Sequence, residues 1–164
     1  MKKIFLVSAI TLMLGSFGTV FAAGSLNNEN TEGSIDITYS LGQSYTITIP
    51  ETFSFTAQNT DIPKTVSASS VLINNDTKLQ VVISGAHCAD DKWFLEDISD
   101  SENDVEYTVK KDDVALKNGD TVLEVTAGTQ QADQEIVFNL KEGIKKAGTY
   151  KDTLTFTSSI VPAQ

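Results

Sequence analysis

The stretch SIDITYSLGQSYTITIP, residues 34–50, decides the fold class, because large apolar and polar residues alternate on both sides of a short turn. A period of two residues is typical of a β-strand with one buried face, so both runs are predicted strands. Pro50 ends the second strand or lies at an edge, since it has no N–H for the ladder. One face collects the large side chains of both runs: Ile35, Ile37, Tyr39, Tyr45, Ile47 and Ile49.

The same alternation continues along the chain, for example in VEYTVKK at 105–111 and in EIVFNLK at 135–141, and TFSFT at 52–56 extends it. Asn74-Asn75-Asp76 and Asn118-Gly119 separate such runs, and each predicts a hairpin. Only residues 141–147 suit a short helical turn. About eight to ten short strands without helical periodicity predict an all-β antiparallel sandwich.

The N-terminal residues 1–22 have the layout of a secretory signal peptide. Two lysines precede an uncharged apolar run, and small residues lead to Ala22. Residues 23–32 are polar and without pattern, which predicts a flexible leader, and 33–164 are predicted to form one β-sandwich domain. The expected location is extracellular, with the protein either free or held on the cell surface by non-covalent contacts.

The charge of the chain narrows the classes of partner. The 164 residues carry 12 basic side chains, all of them lysine, against 22 acidic ones, for a net charge of −10. Nucleic acid and anionic membrane surfaces are disfavoured, because binding to phosphate depends on positive charge and often on arginine. The single cysteine, Cys88, excludes an internal disulfide.

The ending AGTYKDTLTFT, residues 147–157, resembles the final strand of secreted Gram-positive bacterial Ig-like β-sandwich proteins. YTITIP at 45–50 and KLQVVIS at 78–84 are similar to phrases in the same group. The resemblance implies an Ig-like sandwich in an extracellular bacterial protein. Because that group has no single function, it implies no activity. Tyr150 resembles a tyrosine-corner position, whose hydroxyl bonds to backbone.

The segment SGAHCADDKWF, residues 84–94, holds the only histidine, cysteine and tryptophan of the chain. In an extended strand, the neighbours His87 and Cys88 point to opposite faces, which suits neither a shared metal site nor a nucleophile with its base. We therefore expect a strand end followed by a turn, with Cys88 under the loop. Neither a catalytic residue nor a cofactor is predicted, and the protein is expected not to be an enzyme.

Two ligand sites remain as hypotheses beside this segment. Trp93 and Phe94 could present an aromatic platform to a carbohydrate, although such a tryptophan more often fills a sandwich core. An acidic loop offers oxygen ligands of the kind that calcium prefers, although EF-hand spacing is absent and a solvated loop is the alternative. The calcium candidates are Glu96, Asp97, Asp100, Glu102 and Asp104.

These observations favour a non-catalytic secreted bacterial protein that acts by binding, adhesion or structural contact with an extracellular protein or glycan. One alternative is a carbohydrate-binding module. The other is a self-assembling fibre or pilin-like subunit, in which an unpaired edge strand accepts the leader Gly24–Glu32 or a strand from the next copy.

Overall fold

The computed structural model describes residues 10–11, 38–100, 103–141, 144 and 146–163. These residues form strands, turns and loops with no helix, and the strands build two antiparallel sheets. The predicted all-β sandwich is therefore confirmed. The signal peptide and leader predictions lie outside the described residues, apart from Ile10–Thr11. The helical turn does not form at the described positions 141, 144, 146 and 147.

The strands are short, and several contain only two residues. In chain order they are β1 (Ile10–Thr11), β2 (Ser44–Thr48), β3 (Asp61–Leu72), β4 (Thr77–Gly85), β5 (Cys88–Ala89), β6 (Lys92–Asp97), β7 (Val105–Lys111), β8 (Val114–Ala115), β9 (Thr121–Thr126), β10 (Ala132–Leu140), β11 (Tyr150–Lys151) and β12 (Leu154–Pro162).

The larger sheet has the order β1-β2-β3-β10-β7-β6-β11, with β5 beside β6 and β8 beside β7. The smaller sheet has the order β12-β4-β9, so β12 and β9 are its two ends. Strand β1 lies within the predicted signal peptide, and cleavage after Ala22 would leave β2 at the end of the larger sheet.

The core lies between the two sheets and follows the period of two. In β10, Ile136, Phe138 and Leu140 are buried, as the sequence predicts. In β4, the buried positions alternate in the same way, at Leu79, Val81 and Ile83. Alternating apolar residues on facing sheets therefore supply most of the buried surface, which is the main driving force for folding.

The predicted continuation of the pattern in TFSFT is only half right. These residues form no strand, and the nearest pairing is an isolated bridge from Thr56 to Asn59. Phe53 nevertheless packs against Phe138, with ring centroids 4.8 Å apart, and Phe55 lies 6.2 Å from the ring of Tyr107. The segment thus contributes half-buried aromatic rings to the inner face of the larger sheet.

Both predicted hairpins are turns, but neither joins paired strands. Asn74–Asp76 connects β3 of the larger sheet to β4 of the smaller one, and Asn118-Gly119 connects β8 to β9 across the same gap. Gly119 has φ of +91°, so the turn does use glycine's left-handed conformation. The hairpin prediction is wrong because a turn sequence fixes a reversal and leaves open which sheet receives the next strand.

The two-residue hairpins occur instead at paired aspartates. Asp90-Asp91 joins β5 to β6, and Asp112-Asp113 joins β7 to β8. All four residues have positive φ between 50° and 64°, which is the conformation of a type I′ turn. Aspartate tolerates this region better than most residues, but glycine adopts it at less cost.

Replacing Asp113 with glycine is therefore expected to raise the free energy of unfolding by about 0.5–1 kcal/mol. Urea denaturation followed by intrinsic fluorescence measures the change. Gly119→Ala is the matched reverse variant, because it forces a Cβ onto a left-handed residue, and it should lose about 1 kcal/mol. A loss of stability in Asp113→Gly would contradict the strain assigned to this turn.

Candidate functional site

Trp93 lies inside the core and cannot present its ring to a ligand at the surface. Its exposed fraction is 2%, and its Nε1 donates a hydrogen bond to the backbone oxygen of Leu116 at 2.8 Å. The ring of Tyr107 lies 6.2 Å away. The carbohydrate-platform hypothesis for Trp93 is therefore wrong, and the core alternative describes the residue.

Phe94 follows Trp93 in β6 and points to the opposite face, where it is half-buried. Its cross-strand partner is Glu106, whose carboxylate pairs with Lys92 and Lys141. These two ammonium groups lower the pKa of Glu106, chiefly through the hydrogen bond from Lys141. Phe94 thus stands beside a charged cluster, without the second ring of the predicted pair.

The imidazole of His87 lies between two carboxylates. Its Nε2 is 2.6 Å from Glu96 Oε2, and its Nδ1 is 3.2 Å from Asp152 Oδ1. Both ring nitrogens donate at once only in the protonated imidazolium. The histidine is therefore a cross-link between β6 and the segment before β12.

Asp152 is the centre of this network, and its side chain is 3% exposed. Its Oδ1 accepts the backbone N–H of His87 at 3.1 Å, and its Oδ2 accepts the hydroxyl of Tyr107 at 2.6 Å. Burial raises the pKa of Tyr107, and the bond to this carboxylate raises it further. A Cβ at Gly85 would come within 2.9 Å of Asp152 Oδ2, so the carboxylate fits tightly against β4.

Cys88 is a free, half-buried thiol beside this network. Burial raises its pKa, and the negative charge of Asp152 raises it further. A raised pKa keeps the sulfur protonated near neutral pH, and a thiol is a far weaker nucleophile and metal ligand than a thiolate. The side chain therefore behaves as a small apolar residue under the loop, as the sequence predicts.

The acidic loop splits its candidate calcium ligands among different partners. Glu96 contacts His87, whereas Asp97 is buried and accepts the backbone N–H of Ser99 at 2.9 Å. The Asn103 amide donates to Asp97 Oδ2 at 3.1 Å. These donors occupy the carboxylate oxygens of Asp97 and lower its pKa, with the Ser99 N–H contributing most.

The remaining calcium candidates do not join Asp97. Asp100 lies 3.9 Å from the ammonium of Lys146, Asp104 is exposed, and Glu102 lies outside the described residues. Among the residues that the structure describes, no group of three or more histidine, cysteine or acidic side chains is arranged to hold a metal ion. Calcium binding by the whole loop stays a prediction.

Replacing Asn103 with alanine is expected to raise the pKa of Asp97 toward the ordinary carboxyl value, because one hydrogen bond to the charged form is lost. Since the fold holds this pKa down, Asp97 stabilises the protein above its ordinary titration range, and the contribution disappears as pH falls through the lowered pKa. NMR titration of the Asp97 carboxyl carbon measures the shift, with Asn75→Ala as a distant control. An unchanged titration curve in Asn103→Ala would refute the assigned cause.

Tyr150 confirms the predicted corner. Its hydroxyl donates to the backbone oxygen of Lys146 at 3.1 Å, four residues upstream, and accepts the amide of Asn103 at 2.6 Å. A Cβ at Gly148 would lie 2.7 Å from Asp97 Oδ2, so the corner packs directly against the acidic loop. The corner fixes where the chain turns from β11 toward β12.

The free edge of β12 is the largest incompletely covered apolar feature in the described part of the chain. Thr155, Thr157 and Ser159 face outward and are exposed. The inward side chains are each only half-buried: Leu154, Phe156, Ser158 and Ile160. At the opposite end of the same sheet, β9 buries its apolar residues almost completely, with Val122 at 0% and Val125 at 1% exposed.

The core opens toward β12 because this edge has a strand on one side only. Strand β12 pairs along all nine residues with β4, from Leu154 opposite Gly85 to Pro162 opposite Thr77. Across the sandwich, the hydroxyl of Tyr45 in β2 lies 3.2 Å from Ser158 Oγ. The inward row of β12 therefore faces β2 and has room for a further strand beside it.

Sequence reasoning missed both Asp152 and the β12 edge. Asp152 is one of 22 acidic residues, and no local pattern distinguishes a carboxylate that will be buried. The edge carried a clearer signal, because LTFTSSIVP contains no charged residue. Edge strands are commonly protected by charges, so an uncharged terminal strand indicates an edge open to pairing.

The described residues contain no helix with the length and apolarity needed to cross a membrane. No protein-family model and no curated protein matches the chain. Similar solved structures come from work on fimbriae.

One is from a study of a chaperone–tip adhesin complex in the biogenesis of CFA/I fimbriae: 14% identity, TM-score 0.45, covering 84% of this chain and 41% of that one. Another is CfaE, the adhesive subunit of CFA/I fimbria of enterotoxigenic Escherichia coli: 14% identity, TM-score 0.45, covering 73% of this chain and 37% of that one. A third is the CsuC–CsuE chaperone–tip adhesion subunit complex of archaic Csu pili of Acinetobacter baumannii: 12% identity, TM-score 0.45, covering 70% and 39%. The chain thus spans about two fifths of the length of these proteins. A likeness at this level carries no conclusion about function.

Proposed function

We propose that this protein is a non-catalytic extracellular component that assembles with further copies of itself, and that the free edge of β12 is its contact surface. The observation that carries the proposal is the edge itself. Nine consecutive residues without a charge lie at the end of a sheet, and their inward apolar side chains are only half-buried. Such an edge offers unpaired backbone donors and acceptors to an incoming strand.

The energetics favour strand addition at β12 over the other end of the sheet. A strand beside β12 would bury the remaining surface of Leu154, Phe156 and Ile160 and would pair their backbone groups at the same time. Each apolar side chain that passes from half to full burial contributes about 1 kcal/mol. At β9 the apolar side chains are already buried, so an added strand would gain little from them.

The chemistry near Cys88 supports a role without catalysis. The two ring nitrogens of His87 are engaged by carboxylates, so the imidazole has no free nitrogen to act as a base. The raised pKa of Cys88 disfavours a thiolate nucleophile. The side chains that would be needed for nucleophilic chemistry are instead used to hold β6, β7 and the start of β12 together.

Sedimentation velocity on the protein recovered after export tests the proposal. We expect association that increases with protein concentration, and we expect Ser158→Lys to abolish it by placing a charge in the inward row of β12. Thr157→Lys is the matched control, because it adds the same charge on the outward face. A wild-type protein that stays monomeric, or a Ser158→Lys variant that associates like the wild type, would exclude β12-mediated assembly.

A further inference from the structure

The structure leaves the occupant of the β12 edge to be identified, and the chain itself carries a segment of matching pattern. Residues 34–40, SIDITYS, alternate apolar and polar side chains over seven positions. This is the period that an extended strand requires to place one face on a core. The segment precedes β2 by only a few residues and takes no part in the sheets at its described positions, 38–40.

We infer that the strand that completes β12 is the segment 34–40 of a second copy of this chain, an inference that rests on the proposed function. Ile35, Ile37 and Tyr39 would enter the half-buried row beside β12. The intervening polar side chains would face outward, beside the exposed Thr155, Thr157 and Ser159. The segment contains one charge, at Asp36, and that residue belongs to the outward set.

The exposed end of the segment indicates that it does not complete its own chain. Tyr39 is 86% exposed and Leu41 is 60% exposed, so neither side chain packs on the sandwich that it belongs to. A reversal as short as Leu41–Gln43 joins neighbouring strands of one sheet, which here would return the segment beside β2. Strand β12 belongs to the other sheet, so a separate copy is better placed to reach it.

Complementation between two defective variants tests this inference. The donor variant Ile35→Asp/Ile37→Asp keeps the β12 edge, and the acceptor variant Ser158→Lys keeps the segment. Each variant alone should associate at least about a hundredfold more weakly than the wild type, because two apolar side chains or one edge are lost. An equimolar mixture should regain association but stop at a 1:1 complex. Thr38→Asp, an outward position of the same segment, is the control and should associate like the wild type.

Each outcome separates this inference from the proposed function. If Ser158→Lys is monomeric and the donor variant associates like the wild type, β12 takes up a strand from elsewhere and the inference is overturned. If both variants are monomeric and their mixture stays monomeric, the two sites do not meet, and it is overturned again. If the donor variant melts at a lower temperature but associates normally, the segment serves its own chain. Ile160→Glu is the second acceptor variant should Ser158→Lys fail to fold.

Discussion

Replacing Asp152 with alanine is expected to lower the free energy of unfolding by about 3 kcal/mol, the cost typical of breaking a buried, charged hydrogen-bond network. The carboxylate is the shared acceptor for Tyr107, for the His87 backbone and for the His87 ring. Tyr107 is 2% exposed, so its hydroxyl would lose its partner where water cannot replace it. Urea denaturation followed by circular dichroism measures the loss.

A double-mutant cycle distinguishes this cause from general disruption of the turn before β12. In the Asp152→Ala background, Tyr107→Phe removes the stranded hydroxyl and should restore about 1 kcal/mol, whereas in the wild type the same change should destabilise. Asp152→Asn keeps one acceptor oxygen and should cost less than alanine. If Tyr107→Phe destabilises both backgrounds equally, the two side chains are not coupled, and the role assigned to Asp152 is wrong.

The order of strands along the chain could be predicted, because local alternation is a property of neighbouring residues. SYTITIP contains β2, Ser44–Thr48, and KWFLEDI contains β6, Lys92–Asp97. The sheet to which each strand belongs could not be predicted in the same way. Asn118-Gly119 has an ideal hairpin sequence and yet joins two sheets, because the partner of β9 is decided by packing against β4 across the core.

The tight hairpins were missed for the opposite reason. Asp90-Asp91 and Asp112-Asp113 form the two-residue turns with positive φ at both positions, where asparagine followed by glycine is the common choice. At the first turn, Asp91 also pairs with Lys117 at 2.7 Å, a contact between segments that are 26 residues apart. Tertiary contacts of this kind can favour a turn that the local sequence does not favour.

The candidate sites show the same division between local and long-range information. That Tyr150 bonds to backbone nearby could be predicted, since both groups lie within four residues. The link between His87 and Asp152 spans 65 residues, and one residue type repeated many times gives no hint of which copy will be the partner. The acidic loop looked like a ligand set because the sequence does not show that Asp97 is engaged by Ser99 and Asn103.

Replacing Trp93 with alanine should have the largest effect of any single change, a loss of about 3–5 kcal/mol in the free energy of unfolding. The indole is fully buried, contacts the tight approach at Gly85, and has its N–H bonded to Leu116. Alanine would leave a cavity between β4 and β6 that the flanking strands could fill only in part. A domain of ordinary stability could be largely unfolded by this change.

Trp93→Phe and Phe94→Ala separate core packing from any role at the surface. Phenylalanine keeps most of the buried volume but leaves the Leu116 oxygen without its donor, so this variant should lose roughly half as much as alanine. Phe94→Ala changes the adjacent ring on the opposite face, where burial is partial, and should cost about 1 kcal/mol. Circular dichroism in urea reports all three variants, because the tryptophan is the only one in the chain and its fluorescence is lost in two of them. If Phe94→Ala proves as damaging as Trp93→Ala, β6 does not place these rings on opposite faces. The assignment of Trp93 to the core then fails, and with it the reason for rejecting Trp93 as a carbohydrate platform.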